Sequence, residues 1–146
     1  MNWKRLIALV ALLACAGPVR PDERAVVLIV GAASPVASLD SIEVRKLFLG
    51  LTVTRSDRAL RPVDDFSDTR LKQIFFQHIV AMTQWAYDWR VLSRTNREGK
   101  PRPLELTGLD AVLRTIEADP QAVSFAWLND VARNPRVRVV RVLWQE

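Results

Sequence analysis

Ala25-Val-Val-Leu-Ile-Val30, closed by Gly31, is the stretch that decides the fold. It is an unbroken apolar run rich in β-branched side chains, and it reads as a strand covered on both faces, as in an α/β sheet. Beyond Gly31, Ser38 or Ser41 is placed to cap a helix that runs to about Leu49 and stops at Gly50. Val44, Leu47 and Phe48 share one face of it, while Ile42 and Leu49 lie nearly opposite, so the helix is expected to be covered on two sides. Leu51 to Arg61 reads as a polar connection, and Leu60 to Val63 as a short strand.

The clearest periodicity follows. Leu71, Ile74, Phe75, His78, Ile79 and Met82 fall on a single stripe of a helix, with Arg70, Lys72, Gln73 and Gln77 on its outer face. Thr83 caps a further helix in which Trp85, Trp89 and Leu92 share a face. Arg94 to Leu106 reads as a charged, proline-rich loop. Thr107 is placed to cap a fourth helix, with Asp110 in a capping-box position, a buried stripe of Leu109, Val112, Leu113 and Ile116, and an end at Asp119-Pro120. Ala122 to Trp127 and Val137 to Leu143 are the last strands. Strands alternating with helices give an α/β domain built on one sheet.

The chain of 146 residues is 49% apolar and 25% charged, the balance of a globular protein. That balance excludes disorder, a collagen-like repeat and a disulfide scaffold. On the other side of the strand, Met1-Asn-Trp-Lys-Arg5, the apolar run Leu6 to Ala14 and the Ala14-Cys15-Ala16 site form the three parts of a secretory signal. The apolar run falls short of the roughly 20 residues that span a bilayer. Residues 1–16 are therefore read as a signal peptide and 17–146 as one domain, periplasmic or secreted. Leu12-Leu13-Ala14-Cys15 also suits a lipobox, which would anchor the chain through Cys15; Leu13 is large for that motif, so soluble export is preferred. Without residues 1–16 the net charge falls from +5 to +3. The basic residues are scattered, so no nucleic-acid footprint is expected.

Catalytic machinery is not in evidence. His78 is the one imidazole, and it reads as a histidine at the edge of the core. Once Cys15 is removed no thiol remains, and zinc would lack ligands. No catalytic residue, cofactor or metal is expected. Trp85 and Trp89, one turn apart, are read as core. The segment Asp64-Asp65-Phe66-Ser67-Asp68-Thr69-Arg70 allows three readings. Its carboxylates suit a hard cation, although no glycine lets the loop wrap an ion. Asp or Ser can instead cap the helix beginning near Thr69. The same strand-to-helix turn is also an anion site, with Ser67 and Thr69 hydroxyls and the Arg70 guanidinium beside free N–H groups. Capping alone accounts for the carboxylates, so a metal is not expected there; Asp68 would compete with an anion for those groups, and the residues alone leave anion binding undecided.

Several segments resemble the periplasmic solute-binding proteins of phosphate-uptake type. Ser38-Leu39 with Val44-Arg-Lys-Leu-Phe-Leu-Gly50 resembles that family's "S-L … I-F-L-G" segment. Pro62-Val63-Asp64 followed by Ser67-Asp68-Thr69 is similar to its strand leading into a Ser-Gly-Thr anion turn, with Phe75 or Phe76 and Ile79 in the next helix. Trp89, Gly99 and Pro101 resemble its "W … G … P" stretch, and Asp119-Pro-Gln-Ala-Val-Ser-Phe-Ala126 its "N-P-G-A-I-G-Y-V" element.

The resemblance covers residues 26 to 144 and is to short, single-lobe members. It implies a type II periplasmic-binding-protein-like lobe, with a mixed sheet flanked by helices. It also implies an exported, non-enzymatic domain that binds phosphate or another small oxyanion, with Ser67 and Thr69 carrying over and Arg70 beside them. The alternative is a periplasmic protein-interaction or sensory module that keeps the fold without tight ligand binding and meets a membrane transporter or sensor.

Overall fold

The computed structural model describes residues 24–146. The signal-peptide reading of residues 1–16, and with it the fate of Cys15, lies outside the described residues. The elements in chain order are β1 (Ala25–Gly31), α1 (Ser41–Phe48), β2 (Thr54–Arg55), β3 (Arg58–Ala59), β4 (Arg61–Asp65), α2 (Thr69–Ile74), a π-helical turn (Phe75–Ile79), α3 (Gln84–Glu98), β5 (Leu104–Leu106), α4 (Leu109–Ala118), β6 (Ala122–Trp127), α5 (Leu128–Val131) and β7 (Val137–Gln145). Five strands form one sheet in the order β5-β4-β6-β1-β7, and β2 pairs with β3 in a separate hairpin. β4 runs parallel to β5 and β6, whereas β1 is antiparallel to β6 and β7. The sheet is mixed and flanked by helices, as expected.

Every residue of β1 is buried. Side chains alternate across a strand, and here both sides are covered. Val26, Leu28 and Val30 join the core layer under α1, α2 and α3, while Val27 and Ile29 join the layer under α4 and α5. β6 does the same with Phe125 on one side and Ala122 and Ala126 on the other. The backbones of β1 and α4 touch at Gly31, where a Cβ would stand 2.6 Å from the Ile116 carbonyl oxygen.

Several local expectations are corrected. α1 is capped by Asp40, not Ser38 or Ser41, in a reciprocal capping box with Glu43. Ile42 is exposed, so α1 is covered on one side, with Leu49 buried just past its end. The polar connection contains the β2–β3 hairpin, whose Ser56 and Asp57 both take positive φ, the backbone of a type I′ turn without its usual glycine. Arg55 of that hairpin pairs with Glu43 at 2.8 Å and fixes it to the start of α1.

The long helical stripe is not one α-helix. The π-turn absorbs an extra residue, which buries Phe75, Phe76 and Ile79 and turns His78 out to solvent. The proline-rich segment is only partly loop, because α3 continues to Glu98 and β5 begins at Leu104. α4 is capped by Gly108 rather than Thr107, with no side-chain cap bond.

A candidate site at the carboxyl end of the sheet

Strands β4, β5 and β6 are parallel, so their carboxyl ends and the turns that follow gather at one end of the sheet. In open α/β sheets this is where ligands bind. β1 starts and β7 finishes at the same end, because Val26 stands opposite both Trp127 and Trp144.

Two carboxylates tie this end together. Asp65, the last residue of β4, is buried. Its Oδ1 accepts the Ser67 N–H at 3.0 Å, the Ser67 hydroxyl at 2.6 Å and the Gly108 N–H at 3.2 Å. Gly108 adopts φ +93°, a conformation that favours glycine, and its bond to Asp65 joins the start of α4 to the end of β4. Asp68 is the N-cap of α2: its Oδ1 accepts the Leu71 N–H at 2.9 Å. Its Oδ2 accepts the Trp127 indole N–H at 3.0 Å, which joins the end of β6. Partial burial pulls the Asp68 pKa upward, but the Leu71 N–H, the Trp127 indole, the Arg70 N–H and the Arg24 charge outweigh it. The carboxyl is held below its usual range.

The residues assigned to anion binding are placed apart. The Ser67 hydroxyl points back to Asp65. Thr69 lines a groove of about 600 Å³ with Lys72, Gln73 and Met82. Arg70 stacks over Trp144, 5.5 Å from the ring centroid. It lines a second cleft, of about 280 Å³, with Arg24, Asp68, Trp127, Asn129 and Asp130. The three carboxylates of the acidic segment likewise diverge. Asp65 and Asp68 serve the turn, while Asp64 faces the opposite layer and accepts the Tyr87 hydroxyl at 2.8 Å. Capping by Asp68, one of the open readings, is what the structure contains.

Two aromatic expectations change. His78 is exposed, its ring 6.2 Å from that of Trp144. Trp85 and Trp89 are not core: they are 76% and 62% exposed, because α3 buries Tyr87 and Val91 instead. The sequence reading missed Trp127, Trp144 and Gly108. Gly108 was detectable as the glycine beside a helix start, whereas Trp127 and Trp144 meet only through the strand register.

No family model matches the sequence, and no curated protein matches it. Solved structures do. Over 82% of this chain, an ABC-type phosphate transport receptor from Vibrio cholerae superposes with a TM-score of 0.60 at 15% identity. A Clostridium perfringens structure with bound phosphate, described as a phosphate ABC transporter substrate-binding protein, gives 0.61 at 14% identity. PstS from Borrelia burgdorferi gives 0.57 at 9% identity over 81% of this chain.

The fold is that of a periplasmic-binding-protein lobe. The match spans 46%, 45% and 47% of those three chains, under half of each. No helix among the described residues is long and apolar enough to cross a membrane.

Proposed function

We propose that this chain is an exported, non-enzymatic accessory module of solute-binding type, which keeps the lobe and acts through a protein partner rather than as a tight oxyanion trap. A membrane transporter or sensor is the partner class that suits such a lobe. The observation that carries this reading is the filling of the anion turn by the chain's own carboxylates. Asp65 takes the Ser67 N–H and hydroxyl, and Asp68 takes the Leu71 N–H. A bound oxyanion needs those donors and is repelled by both charges.

The second reading is binding of phosphate or another small oxyanion through Ser67, Thr69 and Arg70. It is favoured by the cations Arg24 and Arg70, which share one cleft beside the turn.

Thermal unfolding across a panel of millimolar phosphate, sulfate and carboxylates separates the two, because a ligand of the folded state raises the melting temperature. The accessory reading expects no shift for the native chain. It expects a phosphate-dependent rise in Asp68→Gly, which frees the Leu71 N–H and removes one of the two repelling charges. A rise in the native chain that disappears in Ser67→Ala/Thr69→Ala would overturn it in favour of oxyanion binding.

A further inference from the structure

The outer face of α3 presents an anomaly that neither reading uses. Trp85, Trp89 and Leu92 are 76%, 62% and 41% exposed. At 100° per residue they fall within about 60° of one another. Trp85 and Trp89, four residues apart, form one ridge. Trp89 borders a groove on each side: one of about 320 Å³ with Trp85, Asp88, Leu92 and Arg102, the other of about 430 Å³ with Arg90, Arg94 and Arg97. A ridge between grooves is the surface against which a second helix packs. Exposed tryptophans beside arginines are the composition of an interface core.

Charge selects the occupant. Asp88 and Arg102 line the same groove, and neither forms an ion pair among the described residues. The complementary occupant brings an apolar ridge, a cation for Asp88 and an anion for Arg102. An anionic lipid surface supplies the anion but repels Asp88. A second copy of this chain supplies all three, because a two-fold axis pairs each residue i with j and j with i.

We propose that the α3 face is a homodimer interface. The Trp85–Trp89 ridge of each copy lies in the other's groove, with Asp88 of one meeting Arg102 of the other twice. The proposal is independent of what the β4–α2 turn binds.

The test is the mass of the full-length chain, expressed and processed by its host, by sedimentation equilibrium from micromolar to hundred-micromolar concentration. A dimer is expected. Trp85→Ala/Trp89→Ala should raise its dissociation constant at least about tenfold, with far-UV circular dichroism unchanged because both side chains are exposed. Asp88→Arg alone and Arg102→Asp alone should each weaken self-association, since each sets like charges opposite one another. An equimolar mixture of the two variants should recover a heterodimer in which both pairs are opposite in sign. A monomer at every concentration overturns the proposal, and binding of that monomer to phosphatidylglycerol vesicles would reassign the face to lipid. So does a dimer whose affinity ignores the tryptophan pair, or a mixture that fails to recover.

Discussion

Asp64 sits on the inner side of β4 with Oδ2 accepting the Tyr87 hydroxyl and Oδ1 buried without a partner. Burial is the main cause that raises its pKa, to about 7, against the Tyr87 bond, with the nearby Glu105 charge adding to the rise. The same burial, with the Asp64 charge, raises the Tyr87 phenol. The sign for stability follows from proton occupancy. Between the ordinary carboxyl value of 3.8 and about 7, the native state holds a proton that the unfolded chain has released. Stability from this group is therefore fully present below the lower value, falls as pH rises through the window, and is level above it. Asp64→Asn cannot ionise, so its urea midpoint relative to the native chain should rise between about pH 4 and about pH 8. Equal pH slopes for the two proteins would show that Asp64 is already charged in the fold. Tyr87→Phe removes the one donor that the carboxyl has, and should cost about 1–3 kcal/mol.

Gly31 ends β1 close against the backbone of α4. A methyl group there would meet the Ile116 carbonyl oxygen at 2.6 Å, and a backbone atom cannot swing aside as a side-chain tip can. Gly31→Ala should therefore separate β1 from α4 and lower stability by about 1–3 kcal/mol, read from denaturant midpoints. A variant as stable as the native chain would mean that α4 shifts freely on the sheet. The elements also show what the sequence makes legible. β1 reads directly because unbroken apolar character has one meaning in a sheet covered on both faces. The capping of α2 in the candidate site is legible only as one open reading, because Ser67 and Asp68 are equally suited to it until the Asp68–Leu71 bond is seen. The π-turn is not legible, because periodicity counts residues at a fixed angle and cannot register the extra one that moves His78 outward. The outer face of α3 was misread because two tryptophans one turn apart carry the same pattern whether they face a core or a partner. The gathering of Asp65, Asp68, Gly108 and Trp127 at one sheet end depends on strand order, which no local pattern contains.

At the scale of the molecule, one sheet separates two apolar layers, and its central strands belong to both. Phe75 organises the larger layer, with ring centroids 4.9 Å from Phe125, 5.1 Å from Phe66, 5.2 Å from Phe76, 5.5 Å from Tyr87 and 5.6 Å from Phe48. Ile116 fills the other layer and is fully buried with Val112 beneath α4. β1 and β6 place alternate residues into each layer, so neither can lose its packing while the other keeps a flat support. The two layers should therefore unfold as one cooperative unit. Phe75→Ala should cost about 3–5 kcal/mol and Ile116→Ala about 2–5 kcal/mol. Both variants should move a single transition that near-ultraviolet and far-ultraviolet circular dichroism report at the same denaturant concentration. A near-ultraviolet signal lost early in Phe75→Ala, with helix content intact, would show the layers to be separable. The same cooperativity holds the candidate site at the carboxyl end of the sheet. The Asp65–Gly108 bond belongs to the α4 side, and the Asp68–Leu71 cap to the α2 side, so the turn keeps its donors filled only while both layers stand.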